Sequence, residues 1–217
     1  MKGIYGGTFD PVHYGHLRTA LEVREAVGLD EIRFVSCREP AHRSRPMASP
    51  EQRRKMLELA LDDHTPGFVV DSRELERPGP SYMVDTLASL RSEWAGVPLC
   101  LITGLDAFRH LPAWHEWLRL FDLAHFIVMR RPNTDTQWPE PLAGAVAGRL
   151  VDQPCELQGT LAGRVLLLDV IQLDISATYI RQALVTGRSA RYLLPDAVLD
   201  YISETGVYHS LRGMGYF

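Results

Sequence analysis

The amino-acid sequence predicts an α/β fold: a single Rossmann-like, doubly wound, mainly parallel sheet with helices on both faces and a small C-terminal helical region over about 176–208. Three observations predict it. Short β-rich apolar runs alternate with segments of helical periodicity, the order that builds right-handed βαβ units. Several of the runs are apolar enough to be buried on both faces, as strands between two helix layers must be. The helical segments begin with capping residues.

In chain order, residues 3–9, 32–37, 68–71, 98–103, 125–129 and 165–171 read as strands. A first helix starts near His13. Ser49-Pro50-Glu51-Gln52 combines an N-cap serine, a proline at the first helical position and a glutamine at the third, followed by Met56, Leu59 and Ala60 at helical spacing. Ser81 opens another helix with Val84, Leu87 and Ala88 on one face, and Ser176 opens a third carrying Ile180, Ala183 and Leu184. Pro195 starts the last, with Val198 and Ile202. Residues 132–163 mix Pro, Gly and Ala and are too short for a core of their own, so they read as an insertion or a helix-bearing connection within one domain spanning 1–217. The tail from residue 209 to 217 looks loosely held.

Composition narrows the function. Hydrophobic residues make up 46% and charged residues 23%, ordinary for a globular enzyme. A formal net charge of -4 offers no broad footprint for nucleic acid, so any phosphate site must be local and its ligand small. No stretch reaches the roughly 18 apolar residues of a membrane span and no signal peptide is apparent, which leads to the expectation of a cytoplasmic protein without a membrane partner. Cys37, Cys100 and Cys155 are odd in number, widely spaced and never in a CxxC pair, so neither a disulfide framework nor a zinc site is suggested. Oligomeric state stays open, a homo-oligomer included.

The strongest local signal is Gly6-Gly7-Thr8-Phe9-Asp10-Pro11-Val12-His13-Tyr14-Gly15-His16, where the first strand meets the first helix. Ligands of open α/β sheets bind at that edge. Two glycines let the backbone approach a phosphate, the amides of Gly7, Thr8 and Phe9 are candidate donors, and Thr8 adds a hydroxyl. His13 and His16, three apart, can face one ligand from a helical first turn with the positive end of the helix behind them. The Walker pattern GxxxxGK[ST] and the dinucleotide pattern GxGxxG are both absent. Histidines that donate to oxygens of a phosphorus under attack would stabilise charge growing in the transition state. The blander alternative is a pair of histidines in a helix cap. A second string, Ile175-Ser176-Ala177-Thr178-Tyr179-Ile180-Arg181, repeats the strand-to-helix setting, with a capping serine and a forked cation suited to phosphate.

GGTFDPVHYGH together with ISATYIR resembles the nucleotidyltransferase superfamily marked by HxGH and an ISxTxIR-type signature, and in detail the bacterial nicotinate-mononucleotide adenylyltransferases. The resemblance runs almost the length of the chain, through Pro40-Ala41-His42-Arg43, Gly79-Pro80-Ser81-Tyr82, Gly104-Leu105-Asp106-Ala107, Leu111-Pro112-Ala113-Trp114, Arg130-Arg131-Pro132 and the terminal Tyr192-Leu193-Leu194-Pro195 to Gly206-Val207-Tyr208. It implies transfer of AMP from ATP to nicotinate mononucleotide, with release of pyrophosphate and with Mg²⁺ accompanying ATP. It places ATP across Gly7, Thr8, Phe9, His13, His16, Gly104, Asp106, Ile175, Ser176, Thr178 and Arg181, with His13, His16 and Arg181 in the catalytic roles. It places the mononucleotide at His42, Arg43, Tyr82, Met83, Thr86, Trp114, His115 and Arg130: the pyridine ring on Trp114, its carboxylate at main-chain amides near His115 and Met83, its phosphate at Arg130, Arg43 and His42. Trp114 is expected near a helix start and Trp117 in the core. The family often has threonine where this chain has Met83, which leaves carboxylate selection to backbone groups or to Thr86. Sibling transferases acting on phosphopantetheine, a sugar phosphate, a cytidylyl acceptor or FMN, and a non-catalytic nucleotide sensor, remain as alternatives.

Overall fold

The computed structural model describes residues 1–40, 45–61, 66–132, 134 and 137–208. The elements are β1 (Lys2–Gly7), α1 (Tyr14–Val27), β2 (Glu31–Ser36), α2 (Pro50–Ala60), β3 (Phe68–Asp71), α3 (Arg73–Glu76), α4 (Met83–Glu93), β4 (Leu99–Gly104), α5 (Leu105–Arg109), α6 (Leu120–Leu123), β5 (His125–Arg130), α7 (Leu142–Val146), β6 (Leu150–Val151), β7 (Val165–Asp169), α8 (Ala177–Val185) and α9 (Asp196–Thr205). Three short 3-10 turns lie at Leu111–Ala113, Trp117–Arg119 and Pro154–Leu157. The predicted tail from 209 to 217 lies outside the described residues.

The strands form one sheet in the order β3-β2-β1-β4-β5-β7-β6. Every pairing is parallel. The order reverses between β1 and β4, so the crevice beyond the carboxyl ends of these two strands is where the fold opens for a ligand. Neighbouring strand residues feed opposite layers, as the two-residue pleat requires. Cys100, Ile102, Ile127 and Met129 pack with α1, α2, α8 and α9, while Leu99, Leu101, Phe126 and Val128 pack with α4, α5, α6 and α7. Each such buried aliphatic or aromatic side chain contributes about 1.5–3 kcal/mol. This two-sided demand explains the apolar runs.

The capping serines at 49 and 176 occupy their expected places: Ser49 accepts from the Gln52 amide while Gln52 bonds back to the Ser49 amide, and Ser176 accepts from the Tyr179 amide. Ser81 does not open α4. Tyr82 is the N-cap, and Ser81 is instead tied to the end of β2, donating from its amide to the Glu39 carbonyl and accepting at Oγ from the Arg38 amide. The first strand ends at Gly7 rather than at residue 9, and the last at Asp169 rather than at 171. Residues 132–163 carry α7 and a short edge strand, β6, which β7 joins to the rest of the sheet. Among the described residues no helix is long and apolar enough to cross a membrane.

His125 pins this connection. It is fully buried, its Nε2 lies 2.9 Å from the Thr160 carbonyl, and its Nδ1 accepts from the Arg164 amide at 3.1 Å, which places the proton on Nε2. Burial lowers its pKa, with the charges of Arg91 and Arg164 acting in the same direction. For such a histidine the unfolded chain takes up a proton first on acidification. Its stabilising contribution is therefore complete above the unfolded pKa of about 6.5 and is lost as pH falls below it. His13, lowered to about 4 by burial, adds a second proton of the same sign. Glu74, raised by burial, acts in the opposite sense. Melting temperatures should fall between pH 6.5 and 5, and the His125→Gln curve should be shallower, by up to about 1.4 kcal/mol per pH unit. Parallel curves for the two proteins would refute a neutral, buried His125.

Candidate active site

Local sterics set the β1-to-α1 turn. A Cβ on Gly7 would lie 2.8 Å from Cζ of Phe9, so glycine is required there. Phe9 adopts φ 49°, a left-handed conformation that costs an ordinary residue about 1 kcal/mol or more. The turn drives its ring into the core, edge-on to Tyr5 and His16. With its ring buried, Phe9 has only its backbone to offer a ligand, the amide that the motif makes a candidate donor.

His13 is the N-cap of α1, in extended conformation, and its amide donates to Nδ1 of His16 at 3.3 Å. With Nδ1 accepting, a neutral His16 carries its N–H on Nε2. The two rings stack with centroids 3.7 Å apart and planes 29° from parallel. His13 is 5% exposed, and burial holds its pKa near 4, so at neutral pH it is an uncharged ring that can stack without repulsion. Its Nδ1 is buried and has no hydrogen-bond partner among the described residues. Gly15 makes the arrangement possible, because a Cβ there would sit 2.9 Å from His13 Nδ1 and 3.4 Å from the carbonyl of Ile175.

That carbonyl belongs to the second signature. Ser176 occupies the Tyr179 amide, which leaves the amides of Ala177 and Thr178 at the head of α8 without helical partners. One turn on, Arg181 donates from Nη1 to the Asp10 carbonyl at 2.6 Å and from Nη2 to Thr178 Oγ1 at 3.2 Å. The signatures, 171 residues apart at this bond, thus form one surface of open amides, imidazoles and a guanidinium. Its chemistry suits a polyanion. Beside it, Gly104 ends β4, the neighbour of β1, and caps α5, whose first turn presents Asp106 to solvent.

The predicted acceptor residues divide. Tyr82 and His115 come together with ring centroids 4.3 Å apart. Met83 reaches the first motif, since a Cβ on Gly6 would meet its Cε at 2.5 Å, and the Met83 amide stands at the first position of α4. Trp114 is not at a helix start: it is extended between two 3-10 turns, and Trp117 begins the second of them, so the tryptophans do not share a helix. Both are half-buried against the core. Thr86 is fully buried and donates its hydroxyl to Glu74 Oε1 at 2.5 Å, so it is not available to a substrate carboxylate. Arg130, at the carboxyl end of β5, is partly exposed and paired with the exposed Asp169 at 2.6 Å. His42 and Arg43 lie outside the described residues.

The sequence reading gives no role to three residues that hold this site together: Arg53, which it passes over, and Asp10 and Tyr208, which it quotes only within motifs. Arg53 is fully buried and donates to the carbonyls of Thr8, Cys37, Arg38 and Ala48 and to Ser36 Oγ. Asp10 accepts from the amides of Met47 and Ala48 and from the hydroxyl of Tyr208. One signal was present: Arg53 stands three and four residues before the core residues Met56 and Leu57, on the face of α2 that the period assigns to the interior.

The chain is thus a parallel α/β fold in which the starts of α1 and α8 and a stacked imidazole pair meet at one place. The cytidylyltransferase-like family model matches residues 4–183. A protein of Methylococcus capsulatus named "Probable nicotinate-nucleotide adenylyltransferase" is 56% identical over 96% of this chain and 99% of its own length. One of the same name from Halorhodospira halophila is 53% identical over 95% of this chain and 94% of its own. The fold is also that of Plasmodium falciparum nicotinic acid mononucleotide adenylyltransferase solved with NaAD, at a TM-score of 0.72 and 18% identity, over 95% of this chain and 96% of that one. The chain belongs to the cytidylyltransferase-like family and, within it, to the nicotinate-nucleotide adenylyltransferases.

Proposed function

We propose that the chain transfers AMP from ATP to nicotinate mononucleotide by direct in-line displacement. A phosphate oxygen of the mononucleotide bonds to the α-phosphorus of ATP, the bond from that phosphorus to the β-phosphate oxygen breaks, and pyrophosphate leaves. No side-chain nucleophile takes part. The observation that carries this reading is the junction of the two signatures through Arg181 and Asp10, which makes one phosphate surface from two ends of the chain. His16 Nε2–H and the His13 ring donate to oxygens of the α-phosphate as their charge grows. Arg181 and the open amides of Ala177 and Thr178 receive the β- and γ-phosphates, and Asp106 accepts from ribose hydroxyls. Tyr82, His115 and Trp114 bracket the pyridine ring, with the Met83 amide toward its carboxylate.

Mg²⁺ is proposed to arrive on the triphosphate and offset its charge there. Among the described residues no three His, Cys, Asp or Glu side chains are grouped so as to hold a metal ion. The proposal is tested by incubating the protein with ATP, Mg²⁺ and either nicotinate or nicotinamide mononucleotide and measuring pyrophosphate. Release with the nicotinate form is expected; no release with either would refute it.

Gly15→Ala is a sharp probe of the histidine pair. Its methyl group must push the His13 ring by several tenths of an ångström. Misplacement on that scale should lower kcat/KM by about 10- to 10²-fold. Steady-state pyrophosphate release checks this, and unchanged turnover would mean that the ring position does not matter.

A further inference from the structure

We propose that Asp10 and Tyr208 are positioning residues that hold the nucleotide loop and Arg181 in register for AMP transfer, an inference that rests on the function proposed above. Asp10 lies in the loop between Thr8 and His13, is 5% exposed and does not reach the open surface. Its carboxylate gathers donors from two other parts of the chain: Met47 N to Oδ2 at 2.8 Å, Ala48 N to Oδ1 at 3.1 Å, and Tyr208 Oη to Oδ1 at 2.7 Å. Its carbonyl accepts from Arg181 Nη1. The carboxylate also lies 3.8 Å from Arg181 Nη1 through its Oδ2, so Asp10 holds the guanidinium both directly and through the peptide whose carbonyl it fixes.

Tyr208 reaches the loop from beyond α9. Gly206, at φ 65°, ends that helix in the left-handed conformation and turns the chain back toward β1. Tyr208 is fully buried; burial raises its pKa, and the Asp10 charge raises it further, so the phenol stays a proton donor. The same C-terminal region grips the loop once more, where the Tyr14 amide donates to the Leu193 carbonyl at 3.0 Å. These two attachments, at Asp10 and Tyr14, flank His13. A phenylalanine at 208 would fill the same space, so the hydroxyl is needed for the bond to Asp10 and not for packing.

Tyr208→Phe in the full chain isolates that bond. Kcat should fall about 10-fold, the scale of one hydrogen bond to a charged group, with KM for nicotinate mononucleotide within about twofold of wild type. Asp10→Asn, nearly isosteric, should lower kcat at least as much. In an Arg181→Lys background the Tyr208→Phe effect should shrink to about threefold or less, because the carbonyl then aims no fork. ATP affinity by calorimetry is read alongside and needs no acceptor: if wild type binds ATP but does not use the mononucleotide, the proposed function fails while a weakened ATP affinity in Tyr208→Phe still supports the positioning role. The inference is overturned if Tyr208→Phe changes neither kcat nor ATP affinity by more than about twofold, or if its effect simply multiplies with that of Arg181→Lys.

Discussion

His16→Ala is expected to lower kcat/KM by at least about 10²-fold while ATP still binds. The magnitude follows from removing one preorganised donor to an oxyanion, worth roughly 2.7–4 kcal/mol in the transition state and much less in the ground state. The ring is preorganised because its neighbours leave it little freedom: His13 stacks on one face, Phe9 and Tyr5 meet it edge-on, and the His13 amide occupies Nδ1. Substrate binding therefore need not order it. Pyrophosphate release at saturating substrates, with ATP affinity measured by calorimetry, separates the two effects. A variant that binds ATP and keeps full turnover would exclude a transition-state role for the imidazole.

The second large effect is on stability. Arg53→Met should destabilise the fold by about 3 kcal/mol or more, since it leaves a cluster of buried acceptors with no donor. For a chain of 217 residues that corresponds to a fall in Tm on the order of 10 °C. The guanidinium reaches Cys37 O at 2.7 Å and Thr8 O and Ser36 Oγ at 3.0 Å, stitching the end of β2 to the loop between β1 and α1. Arg53→Lys should recover only part of the loss, because a single ammonium cannot fork across acceptors that lie on opposite sides. Differential scanning calorimetry decides the matter. A shift below about 2 °C for Arg53→Met would mean that water or rearranged backbone replaces the arginine at little cost.

Much of this molecule is written in local patterns. The apolar runs at β4 and β5 are legible because both faces are buried, and the starts of α2 and α8 are legible because Ser49 and Ser176 cap their own helices within three residues. The first signature is legible for the same reason: His13 and His16 act on each other within three positions, and Gly15 makes room for the His13 ring. Where a residue's partner is distant, local reading falters. Ser81 looks like a cap but bonds across to the end of β2, and Thr86 looks like a ligand donor but is engaged by Glu74.

The amino-acid order alone thus specifies the parallel α/β architecture and the two helix starts that carry the signatures, since periodicity and capping are short-range properties. Folding decides that these two starts meet. Asp10 contacts Tyr208 across 198 positions and Arg181 across 171, separations at which no spacing rule operates. Only the sheet order, which sets β1 beside β4 and returns the C-terminal helices over the first loop, converts two separate motifs into one site.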